Sequence, residues 1–306
     1  MYLTQRLKKY NRSIVLPFAM AAAVLFHPYC SMVYFLAPYL VFTMLFMAYT
    51  AIDVRKMRIS KLDLLLLLAQ TILVVGCYEV MKLCGLTQVL CDSVLVCILT
   101  PVAASVVVVS CALGASRETV TTFTILDNLY IALLAPALFT LMGRGDEMSY
   151  WASFWKILCR IAPQIVFPFF AALLTQSMFP KFNAFVVNHK SKSLYVWALT
   201  LTIILGKTFS DLIESKQWGI AGIQALLSAA LCALLFAAGK QIGTLRKEKI
   251  AGGQLLGQKN TSFGIWMAIE YLSPLAAVAP AIYSVWQNFF NSWQMFQHDR
   301  RGGKET

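Results

Sequence analysis

Charge is scarce in this sequence. Only 13% of its 306 residues are Asp, Glu, Lys or Arg, about half the share of an ordinary soluble domain. Acids are the scarcer sign, 14 against 26 Lys and Arg, and there are three histidines. His27, His189 and His298 are isolated near loops or the terminus. No nucleophile–histidine arrangement, phosphate loop or zinc motif is present, so an enzyme is not expected. The eight cysteines show no Cys-x-x-Cys or Cys/His spacing, and most lie inside apolar runs, where a thiol behaves as a small core residue. Neither a metal site nor a disulfide framework follows, and no cofactor is implied.

What abounds is apolar sequence, 59% of the chain. A membrane span needs about 20 apolar residues, and the apolar runs leave no room for a soluble catalytic domain. The composition predicts an all-α polytopic membrane protein whose first partner is the lipid bilayer. The net charge of +12 is spread over short clusters between apolar runs. It reads as a topology signal rather than a nucleic-acid face. The start, MYLTQRLKKYNRSIVLPFAMAAAVLF, resembles a signal peptide, but further spans follow at once without a clear A-x-A site. An uncleaved first helix is expected.

Ten spans are expected, at 13–29, 32–52, 62–82, 88–112, 121–142, 154–178, 193–211, 218–242, 250–269 and 272–296. With the N-terminus cytoplasmic, this count puts most Lys and Arg in cytoplasmic segments, from Arg6/Lys8/Lys9/Arg12 through Arg55/Lys56/Arg58/Lys61 to Arg300/Arg301/Lys304. The opposite loops hold little beyond Lys82, Arg144 and Lys216, with Asp146 and Glu147 in one of them. Alternate loops thus obey the positive-inside bias, which places both termini in the cytoplasm and the chain in the cell (inner) membrane. Ten spans divide into two halves, 1–145 and 146–306. An odd number in each half makes the second an inverted repeat of the first, as in many secondary transporters.

Corresponding spans are interrupted. The fourth carries Thr100-Pro101 and then runs into Ser110-Cys111-Ala112-Leu113-Gly114-Ala115-Ser116; the ninth carries GGQLLGQKNTSFG from Gly252. Matched breaks at equivalent places point to a binding site near the midplane. A broken helix frees N–H and C=O groups that protein, water, ion or substrate must satisfy. The competing explanation is that Gly and Pro are simply commoner in membrane helices.

Polar residues at depth supply the candidates. A lysine at mid-span costs about 2.5–3.5 kcal/mol, so Lys259 is expected to face a cavity or a partner; snorkelling to an interface is the alternative. Asp127 reads as a proton site, a cation ligand or the partner of Lys259, or else as a solvated boundary residue. Thr124 and Asn128, four apart, share a helical face. Gln70 suits a cation site or an interhelical hydrogen bond, and Ser105 a back-bond to its own helix. Trp286 and Trp293 read as an aromatic belt.

Taken in order, Gln70, Pro101 through Ser105, Thr124/Asn128 with Leu133-Leu134-Ala135-Pro136, Gly257-Gln258-Lys259-Asn260, and Pro280 with Trp286-Gln287-Asn288 resemble the bile acid:sodium symporter family. The likeness runs over most of the chain and is close in spans three to five and nine to ten. It implies a panel of spans 1, 2, 6 and 7 and a core of spans 3–5 and 8–10, whose fourth and ninth helices break and cross. It also implies alternating-access symport of an organic anion (a bile acid, a steroid conjugate or a small carboxylate) with sodium. On that resemblance the cation ligands are Gln70, Ser105, Thr124, Asp127, Asn128, Gln254, Gln258 and Asn260, and the substrate contacts are Asn260, Thr261 and Ser262.

The match is partial. Ser105 is followed by Val106 where the family has asparagine, and the family's Glu-x-Gly-x-Gln-Asn becomes Leu255-Leu256-Gly257-Gln258-Lys259-Asn260. The ligating glutamate is lost unless Gln254 replaces it. An ammonium only donates, so Lys259 cannot ligate sodium. It can supply the charge of one cation, paired with Asp127 or hydrogen-bonded to Gln70. Proton-coupled or uncoupled transport on the same fold, and a non-transporting membrane sensor or scaffold, are the alternatives.

Overall fold

The computed structural model describes residues 15, 17–53, 57–103, 105–142, 149–189 and 192–300. The expected boundary between halves at 145/146 falls outside them, as do Arg6, Lys8, Lys9, Arg12, Arg55, Lys56, Arg144, Asp146, Glu147, Lys190, Arg301 and Lys304.

The chain is all-helical among the described residues. In order come α1 (17–25), α2 (His27–Met32), a 3-10 turn (Tyr34–Leu36), α3 (Ala37–Tyr49), α4 (Lys61–Leu83), α5 (Gln88–Leu99), α6 (Val106–Ala112) and α7 (Arg117–Leu141). Then follow α8 (Tyr150–Met178), α9 (Pro180–Asn188), α10 (Ser193–Ser215), α11 (Trp218–Thr244), α12 (Lys249–Gly257) and α13 (Thr261–Tyr271). A second 3-10 turn (Pro274–Ala277) leads into α14 (Val278–Arg300). Among the described residues five helices, α4, α7, α8, α10 and α11, are each long and apolar enough to cross a membrane. Their lipid-type faces show in exposed side chains such as Leu64, Leu68 and Ile72 on α4 and Phe167, Phe170 and Leu174 on α8.

Local chemistry fixes the helix ends. α4 starts at a capping box: the Asp63 backbone N–H donates to Ser60 Oγ, and the Ser60 N–H donates to Asp63 Oδ2 at 2.7 Å. Ser116 and Ser149 cap α7 and α8 in the same way on one side. At Phe179-Pro180 the chain leaves the α8 axis, because the residue before proline is disfavoured in the α region and proline suits the first helical position. The short helix that results, α9, lies in a stretch where no element was expected.

The helices sort into two groups by packing. α2 and α3 pack on α10, and α8 packs on α3; α4, α5, α11, α12 and α14 pack together, with α7 against α4, α6 and α12. α7 also packs on α8, and α13 reaches α3 and α10 as well as α5 and α14.

Both expected interruptions are there, but the glycines do not make the second one. Gly252, Gly253 and Gly257 all lie inside α12, and the helix stops only at Gln258. The first two glycines serve helix packing instead. A Cβ on Gly252 would stand 2.3 Å from the Gly239 carbonyl oxygen on α11, and a Cβ on Gly239 would stand 2.2 Å from the Gly252 oxygen. Two backbones this close admit no side chain. Gly252→Ala should therefore destabilise the protein by at least ~2 kcal/mol. Gly76→Ala on α4, where a Cβ meets nothing within 4 Å, should be neutral or stabilising by up to ~1 kcal/mol. Thermal unfolding of the two purified variants checks the contrast; equal midpoints would contradict it. In the fourth span residues 100–103 and 105 are non-helical, and Ser110 and Cys111 are helical in α6.

Candidate functional site: a two-stranded crossover

The two breaks meet. Val102 and Lys259 form an antiparallel bridge. The Ala103 N–H donates to the Gln258 oxygen at 2.9 Å, and the Asn260 N–H donates to the Pro101 oxygen at 2.8 Å. Those bonds flank the bridged pair, so Val102 and Lys259 are the non-bonded pair of a minimal antiparallel ribbon. Their own N–H and C=O groups therefore point away from each other, into the surrounding helices, and need partners there.

Side chains supply them. Asp127 Oδ2 on α7 accepts the Val102 N–H at 2.6 Å. Gln287 on α14 accepts the Lys259 N–H through Oε1 at 2.8 Å and donates Nε2 to the Lys259 oxygen at 3.1 Å. The Gln287 amide thus takes the place that a third strand would occupy. The freed carbonyls at the ends of the first half-helices are also met. Gln70 Nε2 donates to the Ile98 oxygen at 3.2 Å, and the Tyr283 hydroxyl donates to the Gly257 oxygen at 2.7 Å. Asn260 caps α13 by accepting the Phe263 N–H. α13 can begin so near the crossing because residue 264 is glycine: a Cβ there would lie 2.2 Å from Thr100 Oγ1.

Most backbone groups are satisfied, but many side-chain atoms are not. Lys259 is 1% exposed and its Nζ has no hydrogen-bond partner. Asp127 Oδ1, Gln70 Oε1, Asn128 Oδ1, Gln254 Oε1, Gln258 Oε1, Asn260 Nδ2 and Ser262 Oγ are likewise buried without one. Native interiors leave few such groups, and each one needs an explanation. Here most of them lie on α4, α7, α12 and the ribbon, elements that pack together, and Ser262 lies in the first turn of α13. An ion and a polar ligand are the occupants that suit such a set of atoms.

The expected site residues can now be placed. Gln258 Nε2 donates to Ser105 Oγ at 2.7 Å, which ties the two broken tracts together through side chains. Ser105 thus takes a partner from the other tract. Thr124 Oγ1 donates to its own helix at Val120, and Asn128 Nδ2 to the Thr124 oxygen, so of this pair only Asn128 Oδ1 stays free. Gln254 Nε2 reaches Gln294 Oε1 at 3.5 Å, the outer limit of a hydrogen bond. Gln70 makes the interhelical bond, and its oxygen has no hydrogen-bond partner. Thr261 and Ser262 are buried in the first turn of α13.

Two expectations need correction. Asp127 and Lys259 do not form a direct ion pair. The carboxylate is turned to the Val102 N–H, which has no other acceptor, and Nζ makes no hydrogen bond, to Gln70 or to any other described residue. The two charges nonetheless lie within electrostatic reach of one another. Trp286 is no belt residue: its Nε1 donates to the Ala225 oxygen on α11. Trp293 is about half exposed.

No family model matches this sequence, and no curated protein does. The functional argument therefore rests on the crossover itself. Gln287, which entered only through the family likeness and without a role, and Tyr283 are the residues whose part in the crossover sequence reasoning missed. No local signal separates them from other polar residues of this stretch such as Ser284, Asn288, Asn291 and Gln294.

Proposed function

We propose that this protein is a secondary active transporter of an organic anion, working by alternating access through ten membrane crossings arranged as two inverted repeats of five. The carrying observation is the ribbon, with a buried, unpartnered ammonium at its centre. A structural core has no use for a lysine there, because burying an unpaired ion costs several kcal/mol. A carrier has one, because a charge held at the crossing attracts an anion and takes over the electrostatic role of a cation.

Two further features support the repeat. The breaks fall in the fourth and ninth crossings, and the backbone groups they free are held by the fifth (Asp127) and the tenth (Gln287). Those are equivalent places in the two halves. The helix groups α2/α3/α8/α10 and α4/α5/α11/α12/α14 match the panel and core implied by the likeness to bile acid:sodium symporters. Coupling on this reading is symport with sodium at altered cation sites. Lys259 replaces one cation, and the free oxygens of Asp127, Asn128, Gln70, Gln254 and Gln258 are the material for another. Asn260, Thr261 and Ser262, at the start of α13, are the substrate contacts. The unpartnered Nζ also favours a second reading, coupling to protons carried by Lys259 itself.

The test is a ligand panel. Bile acids, sulfated steroids and small carboxylates are added to the purified full chain, with and without sodium. A ligand at ~100 times its Kd stabilises the protein by ~2.7 kcal/mol, a readable rise in melting temperature. The expected result is a rise with at least one anion, lost in Lys259→Ala. Flat melting curves across the panel would favour a sensor or scaffold instead.

A further inference from the structure

The helix α9 is unlike its neighbours. It has nine residues, PKFNAFVVN, so it is about 14 Å long and cannot cross a hydrocarbon layer of about 30 Å. It joins α8 and α10, both long and apolar enough to span. It therefore lies at one face of the bundle, where those two helices end and begin.

Its surface is wrong for water. Only Val186 is buried. Phe179, Phe182 and Phe185 are 55%, 50% and 57% exposed, and Met178 is 64% exposed. Phe182, Phe185 and His189 follow one another at spacings of three and four, the repeat of a single helical face. His189 lies against Phe185, ring centroids 4.3 Å apart. Lys181 and Lys192 are exposed at its two ends, and the sequence adds Lys190. The sequence holds neither Asp nor Glu between Glu147 and Asp211; Asp53 is the acid near the end of α8, beside Gln176 and Ser177. An aromatic stripe flanked by lysines matches the boundary between acyl chains and anionic headgroups, where rings insert and ammonium groups meet phosphates.

We propose that α9 lies flat in the membrane surface and binds anionic phospholipid headgroups through Lys181 and Lys192, with Phe182 and Phe185 inserted beneath them. The bond ties α8 and α10 to the lipid. On the transport reading given above, it would hold the panel still while the core moves; the lipid contact itself does not depend on that reading.

The experiment is hydrogen exchange of the full chain in lipid nanodiscs, one set of pure phosphatidylcholine and one containing phosphatidylglycerol, followed on peptides covering 179–189. Amides of α9 should exchange about tenfold more slowly with the anionic lipid. The variant Lys181→Gln/Lys192→Gln should lose that difference, while peptides from α11 stay unchanged in both proteins. Equal exchange in the two lipids, whether fast or slow, would overturn the proposal. So would a lipid difference that survives in the double variant. Neither outcome touches the transport reading, which uptake assays test separately.

Discussion

Lys259→Ala is expected to lower anion uptake into proteoliposomes at low sodium by about 100-fold, and raising the sodium concentration is expected to restore part of the loss. Removing one member of a buried set of opposite charges costs about 3–5 kcal/mol, and every 1.4 kcal/mol is tenfold in an equilibrium. Nζ is buried without a hydrogen-bond partner, and the Asp127 charge is within its reach. An alanine leaves a small empty space in place of the ammonium. A sodium ion with the same charge can occupy it, which is why rescue by sodium separates this account from simple misfolding. A misfolded variant would stay inactive at every sodium concentration. If the variant matched the natural protein at low and high sodium, the ammonium would have no part in coupling.

Asp127→Ala should be the most damaging single change for stability. It orphans the Val102 N–H, now held at 2.6 Å, at a cost of about 1–3 kcal/mol. It also leaves the Lys259 ammonium without its nearby counter-charge. Together these suggest a loss on the order of 4 kcal/mol. Asp127→Asn keeps an acceptor for the N–H and removes only the charge, so it should fall between alanine and the natural residue. The double variant Asp127→Ala/Lys259→Ala should be more stable than the sum of the single changes predicts, by about 1 kcal/mol or more. Unfolding midpoints of the four proteins give this cycle directly. Additive losses would mean that the two charges do not act on each other.

The existence of two breaks is legible in the sequence, and their cause is legible only in part. Thr100-Pro101 ends α5 for a local reason: proline disfavours the α region in the residue before it, and a chain-local rule can be read locally. The glycines near Lys259 mislead because their purpose is set by a helix elsewhere in the chain. Gly252 lies where α11 brings Gly239, and no local pattern announces that approach. Asp127 shows the same division. Its depth and polarity mark it as a residue of consequence, yet what it holds, the Val102 N–H, is decided by the tertiary meeting of α7 with the fourth span. Gln287 is harder still. A glutamine amide that bonds both groups of one residue stands in for a strand, and that role exists only once the ribbon has formed. α9 escapes the span search because nine residues are too few to register as a crossing, although its Pro180 start is a local signal that a closer reading could use.

The central claim is that the unpartnered groups at the crossing meet a ligand. It is tested most directly by determining the structure of the full chain in nanodiscs with an anion from the melting panel bound. The account predicts density for that anion in contact with the Lys259 amine and the Asn260–Ser262 segment, between the two broken helices. An anion bound elsewhere, with the Lys259 amine extended into bulk water or lipid headgroups, would contradict it.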